Sequence, residues 1–174
     1  MVHQMKSWPL VLSLLAALPV VPAAAAPQRA AVFDFEMIDT SLSGEMNGKN
    51  PAETQRLVKA AQDLRAKLAA SDRYQIVDIA LVAEKAHGAN LQACGGCDAA
   101  FARELGADVA ITGIVQKVSD MILNMTIIIR DAATAKVIAA ASADMQGSSD
   151  ENWSRAVNFI VRNRLLASKE GAAQ

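Results

Sequence analysis

The most specific chemical feature of this sequence is Cys94-Gly95-Gly96-Cys97. Two intervening residues let the sulfurs meet, and an oxidising compartment favours their bonding, so a disulfide is expected. Because the closed loop is so short, it would contribute only about 2 kcal/mol through the entropy of the unfolded chain. The competing reading is a working thiol pair. That chemistry needs a thiolate stabilised at a helix N-terminus, and Asp98 opposes it by placing a negative charge beside Cys97. Covalent haem requires a His directly after the second Cys, where Asp98 stands. Zinc needs four ligands, and beyond these thiols the chain after residue 25 offers only His87 and carboxylates. No metal and no cofactor are expected.

The acidic candidates lie early. Asp34 and Glu36 fall on one face of an expected strand, and with Asp39, Thr40 and Ser41 they cluster toward its carboxyl end, where open α/β sheets bind ligands. A cation or a peptide backbone would suit them; the plainer alternative is a solvated sheet rim or caps for the following loop. Acid–base catalysis would require burial to push the two carboxyl pKa values apart, which residue types alone do not provide. His87 stands at the end of an expected helix, where a positive charge complements the dipole, so capping is its expected task. No Gly-x-Ser-x-Gly elbow accompanies any Ser, which leaves a hydrolase triad without support. Arg155 and Arg162 form a charged contact face on the last helix, or simply a solvated one, whereas Trp153 falls in the apolar stripe and reads as a core anchor.

These residues must be placed by the elements around them. Arg29 to Ile38 alternates, with Phe33, Phe35 and Met37 on one face, and predicts one continuous strand. Residues 39–50 are rich in Ser, Gly and Asn and predict an exposed loop. Asn50 then caps a helix with Pro51 in its first turn and Glu53 completing a capping box; Leu57, Val58, Ala61, Leu64 and Leu68 recur at helical spacing. Tyr74 to Val77 predicts a strand and Asp78 to His87 a capped helix. A short helix over 98–105 is stopped by Gly106. Three runs rich in Val, Ile and Thr, over 108–118, 121–130 and 136–145, predict an antiparallel meander. Its second turn places Ala135 near a left-handed position that favours Gly. Ser148 and Glu151 form a capping box for the final helix. The order β-α-β-α-α-β-β-β-α gives an α+β domain, a two-layer arrangement of a mixed sheet with helices packed on it.

The chain of 174 residues carries 17 Lys and Arg against 18 Asp and Glu, so no single-sign field exists to hold nucleic acid, and none is expected as a partner. Pro9 to Val21 is apolar but too short to span a bilayer, and Ala23 and Ala25 suit a signal peptidase, so residues 1–25 read as a cleavable signal peptide. Residues 26–174 are then expected to form one periplasmic domain with no membrane anchor, since the only cysteines lie deep in that domain and no lipid-bearing Cys follows the cut.

The string Ala31-Val32-Phe33-Asp34-Phe35-Glu36, with Leu105-Gly106-Ala107-Asp108, Thr112-Gly113, Glu151-Asn152-Trp153 and Val161-Arg162-Asn163-Arg164-Leu165-Leu166, resembles an uncharacterised family of secreted proteobacterial proteins that carry a domain of unknown function. The element order is similar to that of the N-terminal domain of the Tol-system translocation protein and related cell-envelope assembly domains. Such domains hold partner proteins or peptides. The resemblance therefore implies a non-enzymatic periplasmic accessory module that docks an unidentified periplasmic protein. The alternative is a thiol-disulfide or electron-transfer accessory using Cys94 and Cys97, serving a periplasmic quinoprotein oxidation system, with which members of the family look associated.

Overall fold

The computed structural model describes residues 26–167; the signal-peptide reading of residues 1–25 falls outside them. Strands β1 (Gln28–Val32) and β2 (Glu36–Asp39) are followed by helices α1 (Leu42–Asn47) and α2 (Pro51–Ala69), then β3 (Tyr74–Val77). A 3-10 turn (Ala80–Val82) leads into α3 (Ala83–Gly88), and α4 spans Cys97–Glu104. The meander β4 (Val109–Ser119), β5 (Ile122–Asp131) and β6 (Val137–Gln146) precedes α5 (Asp150–Ile160), which ends in a π-helical turn (Val161–Leu165). The sheet runs β3-β1-β4-β5-β6, with β2 on β4 beyond the end of β1. β1 and β2 are parallel to β4, β1 is parallel to β3, and the meander is antiparallel. The expected α+β class with helices on a mixed sheet is what forms.

The main core lies between one sheet face and helices α2 and α5. Leu64, Leu68, Trp153, Val157 and Ile160 pack on Val32, Ile111, Val115, Met125, Ile127 and Ile129. Trp153 is buried, as its place in the apolar stripe demands, and its Nε1 donates to Ser148 Oγ at 3.2 Å. On the opposite face a smaller cluster joins Ala31, Phe33 and Ala110 to Val82, Ala86 and Ala102 from the 3-10 turn, α3 and α4. Over β5 and β6 that second face stays open, and Thr126 and Ser142 hydroxyls meet there at 3.1 Å.

Four local expectations change. The first strand breaks at Phe33-Asp34-Phe35, so Phe33 joins the smaller cluster while Phe35 and Met37 join the main core, instead of all three sharing a face. Gly113, directly across on β4, allows this: any Cβ there would run into the Phe35 ring. Part of the expected loop after strand one is the helix α1, whose N-cap Ser41 accepts from Gly44 N. Asn50 caps α2 through Ala52 N, but Glu53 turns inward to a buried lysine instead of back to Asn50. The cap of α5 is Ser149, one residue later than expected, since Ser148 is held by Trp153 and Glu151 pairs with Arg155. Ala135 does take the left-handed conformation, with φ 57°.

A groove along the free edge of strand two

Among the described residues β2 pairs only with β4. The bond from Thr40 N to Lys117 O, 2.9 Å long, fixes the alternation in this strand. Glu36 and Ile38 direct their backbone groups to β4, so Met37 and Asp39 direct theirs away from the sheet. Beside that edge runs a groove of about 710 Å³. One wall is the start of α2 with Asn50, Glu53, Thr54 and Leu57; the other is the end of α3 with His87, Gly88 and Ala89. Phe35 and Met37 contribute apolar surface at its base, and Ile38 is exposed in it at 43%.

The acidic residues expected near this place divide into separate structural tasks. Asp34 sits at the strand break and joins the two walls, accepting from Arg65 of α2 at 2.7 Å and meeting His87 Nε2 of α3 at 2.8 Å. His87 stands in the last turn of α3, at the helix end where it was expected, and its ring also bridges to Asp34. Burial raises the Asp34 carboxyl pKa, but the hydrogen bonds from His87 and Arg65 and the Arg65 charge outweigh it and hold the group below its ordinary range. Glu36 accepts from Leu91 N at 2.8 Å and so anchors the segment after α3. Thr40 Oγ1 donates to Lys117 O at 3.2 Å. Asp39 accepts from both the backbone N–H and the hydroxyl of Ser41, and thereby starts α1.

Lys117 is the organising cation. It projects from β4 on the core side, only 3% exposed, and its Nζ lies 3.0 Å and 3.1 Å from the two Glu53 oxygens, 2.9 Å from Asp120 and 3.7 Å from Asp39. Desolvation pulls its pKa down, yet the bonds to Asp120 and Glu53 and the nearby charges prevail and raise it. For Asp39, burial acts upward and is outweighed by Ser41 and Lys117, which leave it lowered. Asp120 is lowered by its bonds from Lys117 and Ser43. The network ties β2, α1, α2 and the β4–β5 turn together and so shapes one end of the groove. Sequence reading missed Lys117, although a signal existed: it follows Val109, Ile111 and Val115 at the same two-residue spacing, on the face that becomes core.

The remaining candidates lie elsewhere. Cys94 and Cys97 are disulfide-bonded, with Cα atoms 5.7 Å apart, through a turn whose Gly95 and Gly96 have φ of 70° and 111°. Only glycine adopts such angles without strain. Cys97 is the first residue of α4, and the buried Asp98 beside it pairs with Arg130 at 3.0 Å. Arg155 lies on α5 beside β6, at the opposite edge of the sheet from the acidic group, and Arg162 lies in the π-helical turn that follows. Among the described residues no cluster of His, Cys, Asp and Glu is arranged to hold a metal, and no helix is long and apolar enough to cross a membrane.

The sequence model of one protein family matches residues 28–165. The chain belongs to the DUF3280 family. That family is described as a protein of unknown function (DUF2380). No curated protein matches the sequence. Among solved structures, the chain is similar to the C-terminal domain of LpoB from Salmonella enterica, with 16% identity over 72% of this chain and 87% of that one, at a TM-score of 0.50. It is also similar to LpoB from E. coli, with 12% identity over 85% of this chain and 83% of that one, at a TM-score of 0.52. At such identities the likeness is one of fold. The expected kinship with the Tol system is weak: TolB from Acinetobacter baumannii matches at 13% identity over 75% of this chain and 26% of that one, with a TM-score of 0.39.

Proposed function

We propose that this chain is a non-enzymatic binding protein of the periplasm that docks a partner protein by laying an extended segment of it along β2. The observation that carries this reading is the free β2 edge at the base of the groove, with the Met37 and Asp39 backbone groups directed outward. Strand addition to an open edge draws affinity from main-chain hydrogen bonds and specificity from pockets for alternate side chains. Phe35, Met37 and Leu57 supply the apolar part of such pockets. The neighbouring Asp34, Glu36, Asp39 and Glu53 are each engaged internally, which favours backbone and apolar recognition over charge chemistry. The periplasmic placement rests on the apolar stretch Pro9 to Val21 and the small residues Ala23 and Ala25. The test is a photo-crosslinking amino acid placed at Ile38 in cells, with the exposed Leu81 as control. A single reproducible protein adduct at Ile38 alone is expected; equal labelling from both positions would overturn the reading.

A second reading is favoured by the surroundings of the cysteines. Cys94 is exposed, Cys97 opens α4, and Arg130 neutralises the Asp98 charge that would otherwise oppose a thiolate there. These features suit a thiol-disulfide accessory. Equilibration with glutathione separates the two: a potential below about −300 mV marks a structural staple, and one within about −120 to −270 mV marks a working pair.

A further inference from the structure

The stretch that forms the second wall of the groove leads directly into the disulfide. Asn90 lines the groove, and its carbonyl accepts from Cys94 N at 2.9 Å, so Cys94 stands one turn beyond the rim. Leu91, between them, is buried, and its N–H donates to Glu36 Oε1 of β2 at 2.8 Å. These two bonds hold the disulfide at a fixed place relative to the β2 edge.

The two sulfurs are not equivalent. Cys94 is exposed, whereas Cys97 is half-buried in the first turn of α4 and packs on the smaller cluster. A Cβ at Gly95 would meet no atom, so the turn beside Cys94 faces open space. Cys97 N donates to Cys94 Sγ at 3.2 Å. The N-terminal end of α4 is thereby directed at the Cys94 sulfur and favours negative charge on it. Thiol–disulfide exchange depends on access to the attacked sulfur and on the stability of the thiolate that leaves. Access selects Cys94 as the sulfur that an incoming thiol meets, and the bond from Cys97 N eases its later release.

We propose that a cysteine thiol on the segment docked along β2 exchanges into this disulfide at Cys94 and so tethers the partner covalently. The partner is then a polypeptide with a cysteine a few residues from its β2-bound stretch. The incoming thiol gives its proton to water, and its sulfur bonds to Cys94 Sγ as the Cys94–Cys97 bond breaks. The electron pair of that bond leaves on Cys97 Sγ, which takes a proton from water. The partner's sulfur is oxidised and Cys97 is reduced, so the disulfide itself is the only oxidant required. Return attack by Cys97 on Cys94 releases the partner. The inference rests on the β2 docking reading and adds to it the chemistry of the bound segment. Docking supplies the rate, because a thiol held on β2 acts on Cys94 at an effective concentration that a free thiol does not reach.

The experiment traps the tether by removing the return attack. Purified Cys97→Ser protein, its Cys94 charged as a mixed disulfide with thionitrobenzoate, is mixed with reduced protein extract of the cells that make it, with glutathione present as competitor. A discrete adduct on a non-reducing gel is expected. Met37→Pro removes an outward N–H of β2 without touching the β4 ladder, and it should lower the adduct by at least about tenfold. Ile38→Asp, which leaves the backbone as it is, should do the same. Cys94→Ser protein, charged on Cys97 instead, should give at least about tenfold less adduct. No adduct, an adduct undiminished by both β2 changes, or an equal yield from Cys97 would each overturn the proposal. Photo-crosslinking from Ile38 keeps the two levels apart. A partner captured there without exchange at Cys94 leaves β2 docking standing and strikes only the tether, whereas absence of the photo-adduct strikes the docking itself.

Discussion

Replacing Lys117 by Met removes the cation that meets both Glu53 oxygens at 3.0 Å and 3.1 Å. Glu53 is itself 3% exposed, so water does not take the place of the ammonium. A buried carboxylate left without its partner costs about 3–5 kcal/mol, and the groove beside it places the expected loss toward the lower end of that range. Urea unfolding followed by far-UV CD at neutral pH reads this as a fall in the midpoint of about 1.5 M for a slope of ~2 kcal/mol per molar. Converting both partners, Lys117→Met with Glu53→Gln, removes the orphaned charge, and most of the loss should return. The pH dependence gives a second reading. Lys117 has a raised pKa, so its contribution is complete below its ordinary 10.5 and disappears as pH rises through the higher folded value. Asp39 has a lowered pKa, so its contribution is present above its ordinary 3.8 and disappears as pH falls through the lower folded value. Both slopes should flatten in Lys117→Met. A loss below about 1 kcal/mol would refute the reasoning, since it would make the pair equivalent to a surface ion pair.

Other perturbations probe the same framework. Gly113→Ala places a methyl group against the Phe35 ring and should destabilise by about 1–3 kcal/mol in urea unfolding, with partial relief in a Phe35→Leu background. Ala135→Gly frees a left-handed residue, φ 57°, and should stabilise by about 0.5–1 kcal/mol, read as a higher melting temperature. Asp34→Asn should loosen the link that Arg65 of α2 and His87 of α3 share and lower stability by about 1 kcal/mol in urea unfolding; an unchanged midpoint would contradict the bridge.

How much of this was legible depended on how local each signal is. The meander, the α2 stripe apart from Val58, which is exposed, the buried Trp153 and the left-handed Ala135 follow from spacing within a few residues, and they stand where the sequence places them. The break in the first strand did not show, because its cause, the missing side chain at Gly113, lies on another strand. Two-residue alternation reads Phe33 and Phe35 as one face, and only the partner strand turns them apart. The same holds for Glu53, which satisfies a local capping rule while Lys117, distant in sequence, offers a stronger bond, and for the bridge from His87 to Asp34. The acidic cluster was visible as a group of residue types, but its division among Arg65, His87, Leu91 and Ser41 required the fold.

The most direct measurement is amide hydrogen exchange at Met37 and Asp39 in the purified chain, with and without peptides selected on it by phage display. If β2 is a docking edge, both amides exchange rapidly in the free protein and slow by at least about tenfold with bound peptide, while Glu36 and Ile38 hardly change. Selected peptides that leave Met37 and Asp39 exchanging at the free rate would contradict the account.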